Sequence, residues 1–150
     1  MRQGISASCV ALPQPPAGTA PWPSVLDFLA QRLPRVSRTA WADRMARGDV
    51  LDDAGEPVLP DAPYRGGARL HYWRTLDVEP VVPFEEQVLF QDVHLVVADK
   101  PHFLPVTPGG RFLQQTLLVR LKQRLGLPDL SPVHRIDRET AGLVVLAVFW

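Results

Sequence analysis

The spacing of apolar residues predicts a short helix soon after the start of the chain. Leu26 and Leu29 fall on one helical face, three residues apart. Ser24 stands where an N-cap is needed, and Asp27 lies three residues further on as its capping-box partner. Pro34 cannot continue the pattern, so the helix ends before it.

A second helix is predicted directly after the first. Ser37 is its candidate N-cap, and Val36 and Trp41 occupy the two positions of a hydrophobic staple around the first turn. Met45 extends the Trp41 face by one turn, and Gly48 is a suitable C-terminal stop. Two consecutive short helices with shared apolar faces indicate a helical pair.

Short strands follow the helical pair. Residues 50–51 and 57–59 predict a small hairpin, and residues 68–74 alternate in polarity like a further strand. Residues 1–23 hold five prolines and no periodic pattern, which predicts a flexible leader, part of it packed in extended form. Residues 24–75 are therefore predicted to form a unit of two helices and a small sheet.

A second unit is predicted at residues 88–150, after an acidic, proline-bearing linker at residues 76–87. Along it the pattern predicts a hairpin, a proline-rich loop, a helix and a buried strand, at residues 88–98, 100–110, 113–125 and 143–148. Helices and strands are thus segregated in short blocks. The predicted fold class is α+β.

Composition narrows the classes of protein without choosing one. The chain has 150 residues, 46% of them hydrophobic, and a net charge of zero, which fits a soluble globular protein. Cys9 is the only cysteine and the four histidines are scattered, so we expect no disulfide framework and no metal site. No apolar stretch approaches the roughly 20 residues of a membrane span. A reduced, cytoplasmic setting is the resulting expectation.

Arginines are concentrated along the predicted helical pair. The chain has 14 arginines and 2 lysines. Between positions 32 and 47 there are five arginines and only one acidic residue. Arg35 and Arg38 lie beside the start of the second helix, where free backbone N–H groups also favour an anion. Arg44 and Arg47 continue the patch. Phosphate binding is the functional interpretation, and a solvated helix face is the alternative.

The motif at residues 134–142, His-Arg-Ile-Asp-Arg-Glu-Thr-Ala-Gly, is the strongest chemical signal. Asp137 lies between Arg135 and Arg138 and precedes the buried strand, a rigid place for a working group. The neighbouring guanidinium groups favour the ionised carboxylate. From the residues alone, an ordinary surface Asp–Arg pair stays open beside a catalytic carboxylate.

The first unit resembles the S4-type RNA-binding module. The resemblance rests on residues 26–29, Arg38, and residues 48–50 and 66–70. Asp53-Ala54-Gly55 stands in place of the usual Asn-Gly. The resemblance implies an RNA-facing surface on the helical pair, in agreement with the arginine patch.

The second unit resembles the RluA-type pseudouridine synthases. Residues 134–143 are similar to the HRLDxxTSGLL signature of that family, and residues 99–108 to its Lys-Pro loop. His102 and Phe103 replace the small Ala-Gly common in that loop. The order of module, linker, loop, helix and motif is also similar over residues 24–148.

This resemblance implies an isomerase that converts uridine to pseudouridine in RNA without a cofactor or metal. Asp137 is the implied catalytic residue, acting as nucleophile or as base. The implied partner is ribosomal RNA, with transfer RNA as the second choice. Arg135 is expected to fill the space of an unstacked uridine or to hold a phosphate. Arg138 is expected to pair with a phosphate or with Asp137, and Lys100 to contact RNA in the same way.

The resemblance implies further active-site residues downstream of the strand at residues 143–148. Because the sequence does not contain them, we predict a truncated catalytic domain. We expect the chain to be the N-terminal portion of the enzyme, monomeric and inactive alone, with residues 144–148 lacking neighbouring strands. Two alternatives stay open. One is an RNA-binding protein acting through the S4-like module only, and the other is a structural domain that does not bind RNA.

Overall fold

The computed structural model describes residues 2–19, 21–76 and 78–149, which form two compact units. One unit is Ala7–Trp73, and the other comprises the described residues of 1–6 and 74–150. The first contains β1 (Ser8–Ala11), α1 (Val25–Arg32), α2 (Arg38–Ala46), β2 (Val50–Leu51) and β3 (Arg69–Tyr72). The second contains β4 (Gln87–Gln91), β5 (Leu95–Lys100), α3 (Leu117–Leu125), β6 (Leu130–Pro132) and β7 (Gly142–Val148). The mixed α+β class is confirmed.

Both helices of the first unit begin at the serines that the sequence indicates. The Ser24 hydroxyl accepts a hydrogen bond from the Asp27 backbone N–H at 3.1 Å and donates to the Asp27 carboxylate at 2.7 Å. The Ser37 hydroxyl accepts from the Ala40 N–H at 3.2 Å. These side chains satisfy N–H groups that the helix itself leaves unpaired. Trp41 and Met45 are fully buried, so the predicted apolar face is the packed one.

The leader contributes a strand to the first unit. Strand β1 pairs antiparallel with β3, which also pairs with β2, in the order β1-β3-β2. Leu12 is buried, and the Tyr64 hydroxyl donates to the Pro13 carbonyl at 2.6 Å. The expected flexible leader therefore has a fixed extended part, and the first unit starts at Ala7 instead of residue 24. Its strand pairing requires residues some 60 positions away, a partner that local composition does not indicate.

The second unit is built on an antiparallel sheet in the order β4-β5-β7-β6. Strand β7 pairs with β5 from Leu95↔Ala147 to Lys100↔Gly142 and with β6 on its other side. The expectation that residues 144–148 lack neighbouring strands is therefore wrong. Leu117 and Leu121 of α3 share a core with Val96 of β5. Alternate residues on the opposite face of the sheet, such as Leu143, are exposed.

Helix α3 begins four residues later than its apolar pattern predicts. The Glu79 carboxylate accepts hydrogen bonds from the backbone N–H groups of Leu113, Gln114 and Gln115, at 2.6, 3.0 and 2.7 Å. These bonds hold the preceding residues in a loop, and Thr116 becomes the N-cap, its hydroxyl accepting from Val119 N–H.

The part of the predicted linker at residues 82–86 packs into the second unit. Glu86 is 3% exposed, and both Arg120 and Arg124 of α3 pair with its carboxylate. The Arg120 guanidinium also donates to the Val82 and Phe84 carbonyls, at 2.8 and 2.7 Å. The segment is therefore a fixed part of this unit, because a buried carboxylate requires these partners.

Within the described residues, no helix has the length and apolar character needed to cross a membrane.

Replacing Asp27 with Asn should make the free energy of unfolding less sensitive to acid. Hydrogen bonds from Ser24 and Arg38 hold the pKa of the Asp27 carboxyl below its ordinary value of 3.8. A lowered folded-state pKa means that this stabilisation is complete above the unfolded value and is lost as the pH falls through the folded value. Urea unfolding of both proteins between neutral pH and about pH 2 measures the difference. A difference that stays constant over the acid range would contradict the assignment.

Candidate active site

The Asp137 carboxylate is exposed at a turn that leads into β7. The Thr140 backbone N–H donates to the Asp137 carbonyl at 3.1 Å, which closes the turn. Gly142 follows with φ of 147°, a value that favours glycine, and starts the strand. Among the residues that the structure describes, no hydrogen bond or ion pair reaches the Asp137 side chain. The carboxylate is therefore open to a ligand.

Arg138 is engaged by groups other than Asp137. Its guanidinium donates to the Glu139 carboxylate at 2.8 and 3.1 Å and lies 5.5 Å from the centre of the Phe112 ring. This ion pair is the main reason that the pKa of Glu139 is lowered. The expected pairing of Arg138 with Asp137 is therefore absent from the described part of the chain. Arg135 is exposed and can still reach RNA.

Lys100 is fully buried at the end of β5. Its ammonium donates to the carbonyls of Pro101, Leu104 and Arg138, at 3.0, 2.7 and 3.1 Å. Burial lowers the pKa of Lys100, and the Glu139 carboxylate partly offsets that effect. The charged form nevertheless matches the site, because only an ammonium has three protons to donate.

The expectation that Lys100 contacts RNA is corrected by this burial. Its ammonium lies inside the protein and is saturated by carbonyls, so no phosphate can approach it. Instead, it ties the Lys-Pro loop to the carbonyl of Arg138, the residue after the candidate catalytic aspartate. Lys100 thereby fixes the backbone that presents Asp137.

Two histidines, for which the sequence suggested no such role, also hold the motif. The Val145 backbone N–H donates to Nε2 of His134 at 3.1 Å, which attaches the start of the motif to β7. The Glu139 carbonyl accepts a hydrogen bond from Nδ1 of His102 at 2.7 Å. This bond is a second link between the Lys-Pro loop and the motif. Glu139 lies far from His102 in the sequence, and Val145 lies on the strand next to the segment of His134. Residue spacing therefore does not predict either hydrogen bond.

A cavity of about 350 Å³ lies between the Lys-Pro loop and the start of β4. Ala141 of the motif forms part of its wall, and Asp137 does not. Its other lining residues come from the two chain segments beside it, namely Phe84, Glu85, Gln87, Asp99, Lys100, Pro101, His102 and Phe103. The motif therefore borders a concave surface large enough for one small ring system.

The arginine patch of the first unit is partly neutralised by local partners. Arg38 pairs with Asp27, and Arg47 with Asp49 at 3.2 Å. The Arg44 guanidinium lies 5.3 Å from the centre of the Trp41 ring. Arg35 is exposed beside the first turn of α2. The structure thus brings the four arginines to the region of α2, where Arg35, unlike Arg38 and Arg47, has no ion-pair partner among the described residues.

Within the described residues, no group of three or more His, Cys, Asp or Glu side chains could hold a metal ion.

Comparison with known proteins identifies the class. Residues 94–148 match the family model described as RNA pseudouridylate synthase. That segment contains the Lys-Pro loop, α3, the motif and β7 together. The chain belongs to the RNA pseudouridine synthase family, and its motif is of the RluA type.

The relatives extend this similarity to the first unit. An uncharacterized RNA pseudouridine synthase of Synechocystis sp. is 42% identical over 81% of this chain and 42% of its own length. RNA pseudouridine synthase 5 of Arabidopsis thaliana is 30% identical over 90% of this chain and 45% of its own length. Ribosomal large subunit pseudouridine synthase D of Xanthomonas campestris is 32% identical over 79% of this chain and 38% of its own length. The chain spans less than half the length of these curated relatives.

Replacing Lys100 with Met should lower the free energy of unfolding by about 2–4 kcal/mol, because three buried carbonyls lose their donor. Urea denaturation followed by tryptophan fluorescence measures the change. The Arg124→Met variant is a suitable control, because Arg124 is nearly half exposed and Glu86 keeps Arg120 as a partner. An unfolding midpoint of Lys100→Met at or above that of the control would contradict a structural role for the ammonium.

Proposed function

We propose that this chain carries the catalytic aspartate of an RNA pseudouridine synthase, and that Asp137 is that residue. The observation that supports the proposal most directly is an exposed carboxylate, without a protein partner among the described residues, on a turn anchored from several sides. Lys100 and His102 hold the two residues that follow it, and β7 continues the same backbone. A working group held by rigid surroundings loses little freedom when substrate arrives.

The proposed reaction is an isomerisation within one nucleotide. The bond between N1 of uracil and C1′ of ribose breaks, the ring turns, and C5 bonds to C1′. The proton on C5 leaves, and N1 gains a proton, so atoms and charge balance without an oxidant or reductant. Asp137 acts in this step either as a nucleophile or as a base. The uridine must first leave its stack to reach the exposed carboxylate.

Ribosomal RNA is the proposed substrate class. The Xanthomonas relative is named for the large ribosomal subunit, and a relative from Xylella fastidiosa carries the same name at 33% identity. Transfer RNA is the second candidate, because a mitochondrial yeast relative named for tRNA pseudouridine is 40% identical over 45% of this chain.

Tritium release from RNA labelled at C5 of uridine tests the role of Asp137. We expect the protein, in the form its genome encodes, to release tritium, because isomerisation removes the C5 proton. Asp137→Asn should abolish the release, a loss on the order of 10³-fold or more for a group acting at the reacting atoms. Asp129→Asn is the matched control, since Asp129 is another exposed aspartate of the same unit. Release by Asp137→Asn at the rate of the control would overturn the proposal.

We further propose that the Ala7–Trp73 unit is an S4-like module that binds RNA through α1 and α2. The capped helical pair and the arginines around α2 support it, and phosphate contacts position RNA without reading its sequence. The same surface supports the second candidate function, RNA binding without catalysis.

Arg35→Glu should weaken RNA binding and make it less dependent on salt. A lost phosphate contact lowers the slope of log affinity against log salt concentration by about one. Arg65→Glu is the control, because Arg65 is an exposed arginine of the same unit outside the patch. Fluorescence anisotropy across a salt series provides both affinities and slopes. Equal slopes for the two variants would remove the support for an RNA-binding surface at α2.

A further inference from the structure

Phe103 occupies a backbone conformation that is unfavourable for its side chain. Its φ is 68°, in the left-handed region that glycine adopts readily and bulky residues avoid. A strained residue persists only where its surroundings hold it, and such positions cluster at ligand-binding sites. The ring is not used to fill the core, because Phe103 is 49% exposed.

A second exposed ring lies beside it. Phe84 is 46% exposed, and the two ring centres are 6.2 Å apart with an angle of 37° between the planes. The His102 ring centre lies 6.0 Å from that of Phe103. All three residues line the cavity of about 350 Å³. The Arg120 guanidinium donates to the Phe84 carbonyl, so the backbone that carries this ring is held by α3.

We propose that Phe103 and Phe84 form a stacking platform for an unpaired base of the RNA, next to the uridine that reacts. The inference rests on the proposed function, which supplies RNA as the ligand. The base is a neighbour of the reacting one because Asp137 does not line this cavity, whereas Ala141, four residues further along the motif, does. Flat aromatic surfaces of this kind bind bases of any identity.

The separation of the rings decides how the base binds. A ring inserted between two others needs about 3.5 Å on each side, or about 7 Å in total. The observed 6.2 Å is too short for insertion. The base therefore stacks on the outer face of the pair, on Phe103, whose neighbour His102 is bonded to the motif.

The polar groups of the cavity fit a base edge and not a phosphate. Glu85 and Asp99 line the cavity, and carboxylates repel phosphate and accept hydrogen bonds from base N–H groups. The Lys100 ammonium offers a phosphate no free proton, because three carbonyls already bind it. Gln87 adds an amide that can donate and accept. Because Nδ1 of His102 donates to the Glu139 carbonyl, the neutral ring has an acceptor at Nε2. The sugar–phosphate backbone then runs outside the cavity.

The test compares two single-stranded probes of equal length and charge, an oligouridylate and its abasic ribose-phosphate analogue. We expect Phe103→Gly to weaken oligouridylate binding about tenfold, the usual effect of one lost stacking contact, and to leave abasic binding unchanged. Phe103→Leu should behave in the same way, because leucine keeps an apolar bulk and lacks a ring face. Phe149→Leu, at an exposed ring directly after β7 and outside the cavity, should change neither affinity.

Stability measurements separate the platform from a structural role. Glycine adopts the observed φ without strain, so Phe103→Gly should retain the unfolding midpoint of the unchanged protein. A fall in affinity for both probes would show that Phe103 acts by shaping the loop, and would overturn the platform. Equal affinities of all variants for oligouridylate would also overturn it, while RNA binding itself stands. Failure of the unchanged protein to bind either probe would instead reject the underlying RNA proposal.

Discussion

The buried ammonium of Lys100 is the constraint on which the site depends. A charge in the interior must find acceptors, and this one finds three carbonyls, two in the Lys-Pro loop and one in the motif. The ammonium therefore sets the position of the Arg138 carbonyl, and with it the turn that carries Asp137. The His102 contact to Glu139 repeats the same link one residue further on.

The backbone pairing of the sheet already places the Lys-Pro loop and the motif side by side, independently of their side chains. Strands β5 and β7 are antiparallel neighbours, and Lys100 at the end of one is paired with Gly142 at the start of the other. The loop that leaves β5 and the turn that leads into β7 consequently lie at the same edge of the sheet. Helix α3 covers one face, and β6 completes the pairing of β7. The Asp137 carboxylate at this edge is therefore supported by the sheet and exposed to solvent.

Local features of the fold could be predicted from the sequence, and distant pairings could not. Ser24 and Ser37 cap helices because the groups they bind lie three residues away. Strand β1 was not predicted as a strand, because its partner β3 lies far along the chain. The start of α3 was misplaced for a similar reason, since the carboxylate that holds the preceding loop belongs to Glu79.

The site shows the same division. The motif points to Asp137 as the candidate catalytic residue, but adjacency in sequence suggests the wrong partners for its neighbours. Arg138 binds Glu139 and Phe112, and Lys100 turns inward, because tertiary packing offers them better contacts than solvent does. Charged residues that look equivalent in the sequence can therefore either support the structure or remain available to a ligand. Only the folded structure shows which of the two applies. Arg135 and Arg35 are the members of the predicted set that are exposed and have no ion-pair partner among the described residues, whereas the exposed Arg38 and Arg47 are paired with acids.

The most direct measurement is the pseudouridine content of ribosomal RNA, mapped position by position, in cells that lack the gene. We expect at least one pseudouridine to disappear, to return when the unchanged gene is restored, and to stay absent when Asp137 is replaced by Asn. Such a result would connect the exposed carboxylate to one uridine in the cell. An unaltered pseudouridine map after deletion, in ribosomal and transfer RNA alike, or full restoration by the Asp137→Asn gene, would contradict the role of this residue.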